Sequence, residues 1–268
     1  MEQNRPEPRR TLPPAQRRRR HRIRLVRNWT VFLLSCGAMM AVMTGGILWL
    51  LPKAYALIAP PTAFEAREYT GGAETDLSDA RLVLVNGNLP LTEEPTPELA
   101  VADEATGVSL EAEAAAAYRQ MAEAAQQDGV ELVLTAGHQD AAARQSAYEA
   151  AVQSYREAGS REEDAAAKAA TVQPAPEVSE YATGYAADIL AADSLEENTG
   201  FADTRAYEWL SAYAAEYGFI LRWPQERQAA TGMVFEPWHW RYVGRDNALA
   251  IRASGLSLEE YLALEQTK

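Results

Sequence analysis

Residues 29–52, WTVFLLSCGAMMAVMTGGILWLLP, carry no charged side chain. At 1.5 Å per residue a helix over this run is about 36 Å long, enough to cross ~30 Å of bilayer hydrocarbon, so one transmembrane helix is expected here. Trp29 and Trp49 stand near its ends, where indole rings favour the membrane interface. Arg17, Arg18, Arg19, Arg20, Arg22, Arg24 and Arg27 precede the run, and only Lys53 follows it closely. The positive-inside rule then makes residues 1–28 a basic cytoplasmic tail and puts everything beyond 52 outside the cell membrane, single-pass. A cleaved secretory signal would need a shorter apolar stretch and a small-x-small site, whereas Ile47 to Leu51 runs straight into Pro52. Leu33-Leu34-Ser35-Cys36 has the form of a lipoprotein box, but most of the apolar run follows the cysteine, which favours a retained anchor.

The charge is split along the chain. Up to Asn28 there are ten arginines against Glu2 and Glu7, a balance of +8, which leaves −21 for the remainder of a chain whose net charge is −13. An acidic external part without a basic stripe excludes nucleic acid as a partner, since phosphate binding needs clustered Lys and Arg. Cys36, the single cysteine, lies inside the apolar run, so the external part has neither a disulfide nor thiolate chemistry and must be held by its core.

Residues 53–79 contain Pro60-Pro61 and Gly71-Gly72 without sustained periodicity and read as a stalk, leaving 80–268 as one external domain. Within it, 81–86 reads as a short β-type run stopped by Gly87-Asn88. Residues 110–127, 141–157, 161–170 and 204–217 read as helices, the last with Asp203 as N-cap and Gly218 past its end. Strands are expected near 130–135, 185–190, 219–222, 233–235 and 240–243, and Ser257-Leu258-Glu259-Glu260 is a capping box for a terminal helix. The alanine-rich helices lack the apolar heptads of a coiled coil. Helices before and between short strands predict an α+β fold, a small antiparallel sheet with flanking helices.

Two stretches concentrate polar chemistry: Ser179-Glu180-Tyr181-Ala182-Thr183-Gly184-Tyr185-Ala186-Ala187-Asp188, and Glu236-Pro237-Trp238-His239-Trp240-Arg241-Tyr242. His239 is a candidate metal ligand, Asp188 a second, and Glu236 a base for metal-bound water. A Glu-x-x-His pair alone is a weak signal, and Glu236 could equally be an acid paired with Arg241 or Arg222. Trp238, Trp240 and Tyr242 read mainly as packing, with Trp238 able to wall a pocket.

From Leu82 to Val243 the chain resembles the VanY-type zinc D-alanyl-D-alanine carboxypeptidases. Their motifs run Ser-Gly-Tyr-Arg-Ser-x-x-x-Gln, then Ser-x-His-x-x-Gly-x-Ala-x-Asp, then Glu-Pro-Trp-His; the last is matched in full by Glu236 to His239. The resemblance implies the hedgehog/D,D-peptidase fold, zinc held by His, Asp and His, a glutamate base at Glu236, and the D-Ala-D-Ala end of a peptidoglycan stem peptide as partner. Asp188 and His239 match two of the ligands, but Tyr181 stands where the first histidine belongs. Gln139 stands for the family's substrate-holding arginine and Arg144 for its glutamine, so Gln139, Arg144, Ser179 and Trp238 become the candidate substrate contacts. A neutral phenol is a poor zinc ligand, which predicts impaired catalysis with stem-peptide binding retained. The alternatives are an active zinc carboxypeptidase in which His138 and Arg144 compensate, and a domain recruited to a protein partner.

Overall fold

A computed structural model of the chain describes residues 75–267, together with 29, 33, 64, 66 and 69. The basic tail, nearly all of the expected membrane segment and most of the stalk lie outside the described residues. Among the described residues no helix is long and apolar enough to cross a membrane. The elements below belong to the unit 63–268.

Packing begins before residue 80, inside the expected stalk. Phe64 meets Tyr213 edge-on with ring centroids 5.8 Å apart, Thr75 Oγ1 lies 2.6 Å from Tyr261 Oη, and Asp79 caps a 3-10 turn over Ala80–Leu82. That turn replaces the strand expected over 81–86. The backbone carbonyls of Arg81 and Val83 accept from Arg241 Nη2 at 3.1 and 3.0 Å, so a side chain satisfies groups that a neighbouring strand would otherwise pair.

Strands β1 (Leu99–Val101) and β2 (Ser109–Glu111) form an antiparallel hairpin, each too short to leave a readable alternation in the sequence. Glu111 ends it and caps helix α1 (Ala112–Gln127), accepting from the N–H groups of Glu113 and Ala114. Ala114, Ala115, Tyr118, Met121 and Ala125 recur at helical spacing on α1 and are its buried stripe. There follow β3 (Leu132–Ala136), α2 (Ala141–Glu157), α3 (Glu162–Ala169), β4 (Ala186–Ala191), α4 (Arg205–Tyr213), β5 (Phe219–Leu221), α5 (Gln228–Thr231), β6 (His239–Tyr242), α6 (Arg245–Ser254) and α7 (Leu258–Glu265). The capping box at Ser257 and Glu260 opens α7 as expected.

Three expectations need correction besides the first strand. Thr204, not Asp203, caps α4, because Asp203 closes the 3-10 turn Thr199–Asp203. Residues 233–235 form no strand: the Val234 N–H bonds to the carbonyl of Thr171, which belongs to a loop. Helix α6 was not anticipated, and α4 tightens into a 3-10 turn over Ala214–Tyr217 before Gly218.

The larger sheet has the order β3-β4-β6-β5 with antiparallel neighbours throughout. Every residue of β4 is buried, as a central strand requires. Its register sets Asp188 opposite His239 and Ala187 opposite Trp240, while Ala136 of β3 faces Asp188 from the other side, past an irregularity in the pairing. Leu134, Ile189, Trp209, Leu210, Phe219 and Trp240 join this sheet to α1 and α4 in the main core. A second cluster, including Ile220, Val243, Leu249 and Leu262, packs α6 and α7 against it. The architecture is α+β, with helices flanking small antiparallel sheets.

Gly184 ties the hairpin to the sheet. It has φ +74°, and a Cβ there would lie 2.9 Å from the Glu111 nitrogen, whose N–H bonds to the Gly184 carbonyl at 2.9 Å. Gly129 has φ +73° with nothing within 4 Å of such a Cβ. Gly129→Ala is expected to cost about 1–2 kcal/mol for left-handed backbone alone, and Gly184→Ala clearly more. Urea unfolding of the two variants measures this; equal losses would show that the Glu111 contact carries no weight.

Candidate active site

A 3-10 turn over Glu180–Thr183, all four residues buried, delivers two polar side chains to the end of the sheet where Asp188 and His239 face each other. Tyr181 Oη donates to Asp188 Oδ2 at 2.7 Å and lies 3.0 Å from His239 Nδ1. The same ring nitrogen lies 2.7 Å from Asp188 Oδ1, while His239 Nε2 lies 3.0 Å from Glu180 Oε1. A carboxylate accepts and cannot donate, so the ring donates from both nitrogens and is an imidazolium. Burial disfavours that charge, but the hydrogen bonds to Asp188 and Glu180 outweigh it and raise the His239 pKa to about 9. Trp223 stacks on the ring with centroids 3.9 Å apart and planes 6° from parallel, an arrangement that favours a cation.

Glu180 is the carboxylate that this site depends on and that the sequence motif conceals, since it occupies a variable position. It is 3% exposed, and Arg222 Nε and Arg241 Nη1 donate to its Oε2 at 2.9 and 3.0 Å. Burial opposes its ionisation, yet the two guanidinium charges and His239 hold its carboxyl well below the usual range. Arg222 is further clamped by both oxygens of Glu259, at 2.9 and 2.6 Å. These pairs correct the expectation that Arg222 or Arg241 balances Glu236.

Glu236 has neither partner. It is 4% exposed, and burial, reinforced by Asp188 and Glu197 against the opposing pull of His239, pushes its pKa up to about 8. It lines an open groove of about 590 Å³ that also includes Trp238, Glu197, Asn198, Gln225 and Gln228. Burial raises Glu197 as well. Trp240 and Tyr242 are core residues, as their packing reading anticipated.

The first motif comes near but does not join the ring of donors. The Gln139 N–H bonds to the Tyr181 carbonyl at 3.2 Å, and Gln139 Oε1 is buried without a partner. Arg144, 2% exposed, makes a two-pronged ion pair with Glu94 at 2.9 and 2.7 Å and donates to the carbonyls of Pro176 and Gln139. His138 is half-buried at the start of α2, and its charged neighbours are Arg144, Asp140 and Glu94 rather than Asp188 or His239. Burial, aided by Arg144, lowers its pKa. Ser179 Oγ is buried and unpartnered. The structure thus brings together Tyr181, Asp188, His239 and Glu236, and leaves His138 and Arg144 outside that group.

These residues do not fit a three-ligand zinc centre. Among the described residues no three His, Cys, Asp or Glu side chains converge as a metal site. Both ring nitrogens of His239 are engaged by carboxylates, and burial together with Asp188 drives the Tyr181 phenol well above its ordinary pKa, so it stays neutral. What the arrangement does chemically is hold one proton network closed and leave one buried carboxyl, Glu236, open to the groove.

Two measurements test this electrostatic account, both with a chelator present. The His239 contribution to stability is full below its ordinary pKa of 6.5 and is lost as pH rises through about 9. Glu236, raised from 4.5 to about 8, destabilises the fold increasingly over that interval. The unfolding midpoint is therefore expected to fall from pH 5 to 9.5, with Glu236→Gln removing the fall below about pH 6.5 and leaving the His239 part between 6.5 and 9; a midpoint that rises between pH 6 and 9 would refute the network. Glu180→Ala, which takes a carboxylate from Arg222, Arg241 and His239 together and leaves Arg241 with carbonyl partners only, is expected to cost about 3–5 kcal/mol in denaturant titrations.

Comparison with known proteins places this geometry. The VanY D-alanyl-D-alanine carboxypeptidase family model matches residues 107–245. A D-alanyl-D-alanine carboxypeptidase of Enterococcus faecalis is 32% identical over 197 residues, 74% of this chain and 71% of that protein. A VanY D,D-pentapeptidase variant from a VanB-type resistance cassette, solved with Zn(II), superposes at TM-score 0.62 and 31% identity over 69% of this chain and 99% of its own. VanYB in complex with D-alanine-D-alanine superposes at TM-score 0.63 and 31% identity, covering 69% and 98%. The shared motifs, the sheet register that opposes Asp188 to His239, and these alignments together mean that the chain belongs to the VanY D-alanyl-D-alanine carboxypeptidase family.

Proposed function

We propose that this chain is a membrane-anchored cell-wall module of the VanY family that binds peptidoglycan stem peptides and is impaired as a zinc peptidase. The observation that carries this reading is the Tyr181 hydroxyl, 2.7 Å from Asp188 Oδ2 and 3.0 Å from His239 Nδ1, at the position of the family's first histidine ligand. A zinc ion held at such a site would supply a Lewis acid and lower the pKa of a bound water. Here a hydroxyl proton and an imidazolium proton take up the donors that such an ion needs. An imidazolium has no lone pair for a metal, and a neutral phenol is a poor substitute for imidazole. The groove at Glu236 and Trp238 remains as a surface for a peptide. The anchor rests on the uncharged run 29–52 and the arginines before it, which hold the domain outside the membrane.

Metal content and D-Ala release from a stem pentapeptide test the reading on the full-length protein in detergent. The unmodified protein is expected to hold well under one equivalent of zinc and to release no D-Ala. Tyr181→His is expected to bring zinc to about one equivalent, because it restores a third ligand. Near-stoichiometric zinc in the unmodified protein that disappears in His138→Ala, with D-Ala release abolished by Glu236→Gln, would establish an active peptidase instead.

A further inference from the structure

The groove that ends at Glu236 has an unusual charge inventory. Glu236 and Glu197 line it beside the amides of Asn198, Gln225 and Gln228, and no Lys, Arg or His lines it. Glu236 is the decisive residue: 4% exposed, its carboxyl accepts no hydrogen bond and enters no ion pair among the described residues, yet it faces the groove. A carboxyl so deeply buried without a protein donor is costly.

The cations that could receive a peptide's C-terminal carboxylate are committed elsewhere. Arg144 is held by Glu94, Arg222 by Glu180 and Glu259, and Arg241 by Glu180 and two backbone carbonyls. Gln139, at the position of the family's arginine, is uncharged. A terminal carboxylate entering the groove would face two acids and no Lys, Arg or His in its lining, the buried His239 imidazolium being held by Asp188 and Glu180, and like charges at close range repel strongly where water is displaced. A protonated primary amine would instead meet a carboxyl without a protein partner, which the cation would hold in its ionised form, with amide oxygens and, at Trp238, an indole lining the same groove.

We propose that this groove recognises an alkylammonium group, the side-chain amine of the stem peptide's diamino acid, through Glu236, and not the peptide's C-terminal carboxylate. This rests on the reading of the domain as a stem-peptide binder and names the group that is read. The ammonium supplies the missing donor to Glu236, and a charge-assisted pair in a desolvated pocket is among the stronger single contacts available to a polar ligand.

Calorimetric titration of the full-length protein in detergent, chelator present, tests the proposal with the pentapeptide L-Ala-γ-D-Glu-L-Lys-D-Ala-D-Ala and two derivatives. Acetylation of the lysine amine is expected to weaken binding at least tenfold, and amidation of the C-terminal carboxylate to leave it within about twofold. Glu236→Gln, which replaces a buried acid by a neutral side chain of the same shape and so should fold at least as well, is expected to lower affinity for the unmodified peptide to that of the acetylated one. Loss of binding on amidation, with acetylation neutral, would overturn the ammonium site and leave stem-peptide binding standing. If no peptide binds, the stem-peptide reading fails, and butylammonium chloride titrated alone decides the rest. Perturbation of Trp238 resonances that is lost in Glu236→Gln upholds the ammonium site, and no perturbation overturns it.

Discussion

The Glu180 carboxylate, almost wholly removed from solvent, is the constraint on which the rest of the domain is arranged. Through Arg222 it reaches Glu259 at the start of α7; through Arg241 it reaches the backbone of the first turn at Arg81 and Val83; through His239 it orients the site. Taking such charges out of water is expensive, so the network is tolerable only because almost every donor and acceptor finds a partner. Removing Glu180 takes a carboxylate partner from three buried cationic side chains at once. The cluster therefore fixes the positions of four segments that are far apart in sequence, which is a specification of geometry more than a source of net stability.

Sheet register does the second half of the work. With Asp188 opposite His239 on adjacent strands, the two side chains meet across a pair spacing of about 5 Å without any loop having to find them. The turn that carries Tyr181 then needs only to close against the sheet end, and Gly184 lets it do so by taking a left-handed backbone close to Glu111. In a zinc enzyme of this architecture a cation would offset Asp188. Here the positive charge is the imidazolium of His239 and the bridge is a phenolic proton. On the proposed reading, tyrosine at 181 exchanges one coordination centre for hydrogen bonds that form as the chain folds.

The amphipathic helices and the central strand were legible in the sequence because each carries its own signal. The helix over 141–157 is bounded as expected, the apolar run at β4 is long enough to read, and the capping box at Ser257 is a local device. The failures share a cause: the deciding partner is remote. Residues 81–86 have β-type composition, but Arg241 satisfies the Arg81 and Val83 carbonyls from 160 and 158 positions away. Strands of three residues, β1 and β2, fall below any periodicity. In the site, Tyr181, Asp188, His239 and Glu236 were legible from their motifs, whereas Glu180 was passed over because its place in the motif is variable. Its role depends on two arginines that only the fold brings to it.

Inventory and placement are different quantities, and this site separates them. The chain keeps a histidine, a tyrosine, an arginine and a glutamine across its first two motifs, which invites the idea that function survives their exchange. Arg144, however, projects from α2 onto Glu94 and two carbonyls, so its charge is neutralised before any ligand arrives. His138 sits among Arg144, Asp140 and Glu94, away from the donors it would have to replace. A side chain's chemistry is available only where its neighbours leave it unsatisfied. By that criterion Glu236 stands out from Gln139 Oε1 and Ser179 Oγ, which are also unpartnered among the described residues: it is the acid of the three, and it lines a groove whose lining holds no Lys, Arg or His.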